Sequence, residues 1–169
     1  MTFSPNLSPK EIIRLGSFGG IYFNDEGGRI DINYKEFPSE WFEGLDESFY
    51  KSKKYNRKVN YFKIKSGLSQ EEWEEKGWIN KQDPRGWFQW YCRYYVGRRT
   101  DDDERQIKRW NNFCGEKGRW RNYIYSKINK RGTYVDDISF SLAIRQSLLH
   151  WGYMVNKEDF DMWKEYNGF

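Results

Sequence analysis

Apolar positions follow two regimes along this chain. From residue 83 onward they recur at three- and four-residue spacings, the period of helices packed on one side. Before residue 80 they come as short runs broken by Gly and Pro. The strongest helical signal spans 84–96, with Asp83 placed as an N-cap, Pro84 at the first helical position and Gly97 as the stop. At about 100° per residue, Trp87, Trp90, Tyr91, Tyr94 and Tyr95 share one face, and Phe88, Cys92 and Val96 widen it. Only Arg85, Gln89 and Arg93 form a polar stripe. A helix apolar around most of its circumference belongs in a core. This one is expected to be the most buried element, with Trp90 and Tyr94 nearly inaccessible.

Helices are predicted on both sides of it. Thr100 with Asp103 three residues later opens one that Gly115 closes, with Ile107, Trp110 and Phe113 or Cys114 inward and Arg105, Arg109 and Asn112 on another face. The run 119–129 follows a tight 115–118 connection. Its period buries Trp120, Ile124 and Ile128 and shows Arg121, Asn122 and Tyr125. Asp136 or Asp137 caps a helix through Trp151, whose apolar circumference Arg145 and His150 interrupt, and Asn156 caps a last one over 157–166.

The N-terminal half reads differently. Residues 1–10 look like a loose arm, although Ser8, Pro9 and Glu11 have the grammar of a short helix ending at Gly16. The β-prone runs 18–23 and 30–34 flank a Gly-rich 24–28 turn and read as a hairpin, with 51–65 as an irregular strand beside it. Ser69 and Glu72 form a capping box for a short helix stopped by Gly77. The expected fold is a mainly helical α+β single domain over 1–169: a small N-terminal β-hairpin region with short helices in 1–80, packed on four to five helices whose core lies in 81–169.

Charge changes the picture next. Residues 81–131 hold fourteen Lys/Arg against six Asp/Glu, a surplus of eight positive charges, while the rest of the chain is negative by four. A basic, aromatic-rich block in an otherwise mildly acidic chain is the footprint of a nucleic-acid binder, DNA before RNA. Arg98 and Arg99 with Arg105, Lys108 and Arg109 fit a phosphate clamp, because arginine forks match phosphate oxygens. Local pairing with the acids of 101–104 is the competing account. Residues 101–129 have the layout of a helix-turn-helix presenting Arg119, Arg121, Asn122 and Tyr125, and equally that of an ordinary helical hairpin.

Candidate chemistry is sparse. His150 is the only histidine, so it is the first general-base candidate, with Asp137 as the candidate carboxylate, if this were an enzyme on DNA, such as a base-excising glycosylase or a nuclease. Four consecutive acids at 101–104 point about 100° apart on a helix and cannot converge on one metal. Arg85, Gln89, Arg93 and Arg145 either pair internally, the favoured reading, or line a polar pocket. Trp, Tyr and Arg also make interface hot spots, so a protein-interaction module is a third reading.

Two cysteines, Cys92 and Cys114, sit among aromatics in predicted helices and read as reduced thiols, without the ligand spacing of a zinc site. No Walker or GxGxxG spacing occurs, so no cofactor is expected. No apolar run approaches the roughly 18 residues that span a bilayer and no leader pattern opens the chain. An intracellular protein, cytoplasmic or nuclear, is expected.

The strings GWFQWYCRYYVGRR (86–99), DDERQIKRW (102–110), GEKGRWRN (115–122) and IRQSLLHWGY (144–153), with LGSFGGIYF (15–23) and KEFPSEWFEGL (35–45), resemble those of an uncharacterised protein family of fungi, algae and large DNA viruses. The resemblance covers most of the chain and implies no particular activity, cofactor or site residue.

Overall fold

Seven α-helices carry the computed structural model, which describes residues 2–24 and 33–169. They are α1 (Pro9–Leu15), α2 (Gln70–Glu75), α3 (Trp87–Tyr95), α4 (Asp103–Cys114), α5 (Arg119–Arg131), α6 (Leu142–His150) and α7 (Lys157–Tyr166). Short 3-10 turns join them in the N-terminal half. Among the described residues there is no strand, only an isolated bridge between Asn80 and Asp83.

The expected α+β class is therefore corrected to all-helical. In place of the first hairpin strand, 18–20 is a 3-10 turn with φ of 53° at Phe18, 60° at Gly19 and 80° at Gly20. A side chain at Gly20 would put its Cβ 1.9 Å from the Ser48 carbonyl oxygen, so the chain approaches there too closely for anything but glycine. The N–H groups that a ladder would need are spent elsewhere, Gly19 donating to Asn60 Oδ1 at 2.7 Å and Gly20 to Ser17 O at 3.1 Å. The 25–32 part of the expected hairpin lies outside the described residues, and Tyr34–Glu36 is again a 3-10 turn. The irregular strand expected over 51–65 is likewise absent, its only regular element being the turn Arg57–Val59.

The core forms around α3, where Trp87 through Cys92 are all buried. Trp90 is inaccessible as expected, but Tyr94 is half-exposed and Tyr95 is 54% exposed. The helix begins at Trp87 because Gly86, at φ 88°, is its N-cap. Asp83 does not cap it, being engaged by two arginines. α1 and α4 pack on α3, while α5 touches α4, α6 and α7. Its Ile124 and Ile128 meet Leu148 and Leu149 of α6 in the buried cluster.

The expected loose arm is docked. Phe3 enters a box of Trp87, Trp90, Tyr91, Tyr94 and Trp110, with ring centres 5.2–6.4 Å away and planes mostly near perpendicular. Edge-to-face contact at these distances is the favoured geometry of aromatic rings. Behind it, Leu7 donates its N–H to Gly152 O at 3.0 Å, and Asn6 exchanges two hydrogen bonds with the Met154 backbone.

Candidate nucleic-acid interface

The expected polar stripe, with Gln89 and Arg93 on α3 and Arg85 just before the helix, is joined to other protein groups. Arg93 grips Glu36 with two bonds of 2.6 and 3.0 Å and gives a third to Asp83 at 3.0 Å. Arg98 meets the other Asp83 oxygen at 2.5 Å. The Asp83 carboxylate is fully buried, and two guanidinium groups offset the cost of desolvating it. The Glu36 hydrogen bond, followed by Asp83, holds the Arg93 guanidinium above its ordinary range. Gln89, also inaccessible, accepts from the Arg85 N–H at 2.9 Å, and Arg85 Nη2 donates to Asn24 O at 2.6 Å. Arg145 of α6 shares none of these partners. It donates to the carbonyls of Val135, Asp137 and Phe140 and so ties down the loop before α6, burial holding its charge below the usual range.

Two of the expected clamp arginines are ion-paired. Arg98 serves Asp83, and Arg105 holds Asp102 through bonds of 2.5 and 2.9 Å. Burial pushes the Asp102 carboxyl up, but Arg105 outweighs it and the group ends below its usual range. Arg99 is exposed, lies 3.8 Å from the Tyr94 ring centre and bonds only to the carbonyls of Tyr94 and Arg98. Arg109 sits half-buried over Trp151, donating to Gln106 Oε1 at 2.9 Å. Burial lowers its pKa to about 10, with repulsion from Arg105 adding to the effect.

α5 turns a different face outward from the one its sequence period indicates. Arg121 is 8% exposed and Tyr125 is inaccessible, so neither reaches a partner on the surface. Arg121 pairs with Asp159 at 3.2 Å and covers the Tyr153 ring at 4.7 Å. The Tyr125 hydroxyl meets that of Tyr153, which donates to Asp159 Oδ2 at 2.6 Å. Asn122 spends its amide on Glu116 O and Gly118 O and accepts from Trp163 Nε1 at 2.8 Å. These polar tips are satisfied inside, which lets long amphipathic side chains fill the core side of the helix. Trp120, expected inside, is half-exposed.

What remains outside is Arg119, Tyr123, Lys127, Lys130 and Arg131, along one side of α5: Tyr123 and Lys127 follow at four-residue steps, and Lys130 and Arg131 lie three and four residues beyond Lys127. The helix holds five basic residues and no acidic one, and of the five only Arg121 is in an ion pair among the described residues. The exposed cations lie on rings, Arg119 4.7 Å from the Trp120 ring centre and Lys127 5.5 Å from that of Tyr123. Of the arginines expected to contact nucleic acid, Arg99, Arg109 and Arg119 thus carry guanidinium groups outside ion pairs among the described residues. Tyr123, Lys127, Lys130 and Arg131 were missed, although the absence of any acid between 117 and 131 was visible.

The two candidate catalytic residues lie at opposite ends of α6. His150 is buried against Phe18, its Nε2 engaged with the Phe18 N–H at 3.1 Å and the Gln146 amide at 3.0 Å. Burial lowers its pKa to about 3, so it stays neutral near pH 7. Asp137 sits before α6, at that helix's opposite end, and accepts from the Ser139 hydroxyl and N–H and the Thr133 hydroxyl. Those bonds lower its pKa to about 2. Asp137 does not cap the helix as expected, since α6 starts only at Leu142 with Ser141 at its N-cap position. An open cleft of about 610 Å³ lies elsewhere, between Asn6, Arg121, Asn156 and Asp159.

Both thiols are buried and free. Among the described residues no group of His, Cys, Asp and Glu is placed to hold a metal ion, and no helix is long and apolar enough to cross a membrane. The chain matches no family model, no curated protein and no solved structure.

Proposed function

We propose that the protein binds nucleic acid through the α4–α5 surface, centred on the outward side of α5. The observation that carries this reading is the stripe of Arg119, Lys127, Lys130 and Arg131 on a helix without acids, none of which is in ion-pair contact with a carboxylate among the described residues. From Arg119 to Lys130 the stripe runs about 16 Å at the helical rise of ~1.5 Å per residue. Lys108 and Arg109 extend the positive field over α4. Cations held in this way gain by meeting phosphates, because each contact releases condensed counterions. The interspersed rings supply surfaces on which bases can stack.

The test is a salt series on labelled oligonucleotides. Four phosphate contacts give a slope of log K against log salt of roughly −3 to −4, at about −0.7 per contact on single strands and −0.9 on duplex. The double variant K127E/K130E flattens the slope and weakens binding to all sequences alike. Arg105→Ala changes the slope by less than Lys127→Ala does, since Arg105 is committed to Asp102. Affinity weaker than about millimolar at low salt would remove the reading, being below the usual non-specific range.

A further inference from the structure

Resting on that reading, we infer that the nucleic acid taken by α5 is single-stranded, with Tyr123 as a stacking platform set between two phosphate-binding cations. The first support is steric. A helix with its side chains measures about 10–12 Å across, and the major groove is about 12 Å wide, so a helix that reads duplex must project from its neighbours. α5 is lodged against α4, α6 and α7 and offers only one side. The residues a helix-turn-helix reading would present to base edges, Arg121, Asn122 and Tyr125, are buried or bonded to other protein groups, so the outward side carries cations and a ring and lacks those base-edge readers.

The second support is the register of the exposed side. Tyr123, 38% exposed, stands one turn from Arg119 and one turn from Lys127, so a ring alternates with cations along the axis. Trp120 flanks it edge-on, with ring centres 5.8 Å apart and planes at 74°. Duplex bases are already stacked on one another and have no face to give such a ring. Unpaired bases do, and stacking on aromatic side chains beside a basic track is how single strands are held.

The cation–ring contacts explain how the site is kept ready. Lys127 over Tyr123 and Arg119 over Trp120 hold both cations close to the ring faces. An exposed contact of this kind is weaker than base–ring stacking. An incoming base therefore displaces the cation from the ring, and the flexible stem carries the charge to the adjoining phosphate.

The experiment is an anisotropy titration of dT15, U15 and a 15-base-pair DNA duplex at several salt concentrations, with wild type, Tyr123→Ala, Tyr123→Phe and Lys127→Ala. Either single strand is expected to bind more tightly than duplex at equal salt, and the dT15 to U15 ratio tells which sugar is preferred. Tyr123→Ala should lose roughly tenfold on single strands with its salt slope unchanged, while Tyr123→Phe keeps wild-type affinity. Lys127→Ala should instead lower the slope by about 0.7. Salt-dependent binding that is as tight on duplex, or that is indifferent to Tyr123→Ala, overturns the single-strand inference and leaves the general reading standing. No binding to any of the three probes overturns both. Tyr123 is partly solvated, and the Phe variant reports a loss of fold separately from a loss of stacking.

Discussion

The backbone N–H of Phe18 donates to Nε2 of His150 at 3.1 Å, and the two rings stack 4.1 Å apart with 17° between their planes. A backbone N–H can only donate, so Nε2 must be the unprotonated nitrogen and the imidazole carries its proton on Nδ1. The Gln146 amide then gives one hydrogen to Nε2 and another to Gly16 O, while its oxygen accepts from the Phe62 N–H. His150 and Gln146 thus tie α6 to the 16–20 turn and to 62. Phe18 pays for its place with a left-handed backbone at φ 53°, a conformation costing on the order of 1–3 kcal/mol. This is the structural role of the chain's single histidine.

Acid should undo that tie. The folded-state pKa of His150 is lowered to about 3 by burial, against about 6.5 when the chain is unfolded. Between these values the unfolded chain binds the extra proton, so stability rises with pH. The contribution is complete above about pH 6.5 and is lost as pH falls towards 3. At roughly 1.4 kcal/mol per pH unit, urea unfolding should show a loss of about 1 kcal/mol between pH 6 and 5, before most carboxylates titrate. His150→Gln removes this slope while lowering stability at pH 7. A wild-type stability that is flat from pH 7 to 5 would contradict the assignment.

The Asp83 cluster makes a second prediction, in which burial decides the magnitude. Asp83 is inaccessible and holds both Arg93 and Arg98, whereas Glu36 meets Arg93 at a partly solvated edge. Asp83→Asn leaves two guanidinium groups facing a neutral amide and should cost about 3–5 kcal/mol. Glu36→Gln breaks a screened pair and should cost about 1 kcal/mol or less. Denaturant midpoints of the two variants decide it. Equal losses would mean that the buried carboxylate is not the anchor.

These two clusters also show where the sequence was readable. Capping grammar located α1, α2 and α7, because Ser8, Ser69 and Asn156 each accept from the N–H three residues on and so cap the helices expected of them. That grammar is local, and so is the information it needs. Asp83 followed by Pro84 has the same local form, but two arginines ten and fifteen residues later claim the carboxylate, and the helix starts at Trp87 with Gly86 as its N-cap. The outward side of α5 was misjudged for the same reason. Arg121 and Tyr125 read as surface residues until Asp159 and Tyr153 supply partners 38 and 28 residues away. In the 16–20 turn the aromatic run looked like a strand, while the glycines at 16, 19 and 20 were the signal for a backbone that turns left-handed.

The third prediction concerns the arm. Phe3 is the ring through which residues 2–7 engage the aromatic core, touching five rings drawn from α3 and α4. Emptying a fully buried Phe site costs about 3–5 kcal/mol, and Phe3 is only partly buried, so Phe3→Ala should cost about 2–3 kcal/mol. Phe3→Leu, which keeps the apolar volume and loses the edge-to-face geometry, should cost about 1 kcal/mol. Asn6→Ala removes the two bonds to Met154 at the exposed side of the strap and should cost less than Phe3→Ala. Trp90 and Trp110 are inaccessible beneath the arm, so Phe3→Ala should also wet their indoles and shift tryptophan emission to the red without unfolding the chain. Urea midpoints and emission spectra of the three variants test the order. A Phe3→Ala protein with unchanged midpoint and emission would show that the arm does not dock in solution, and that the five rings close the core by themselves.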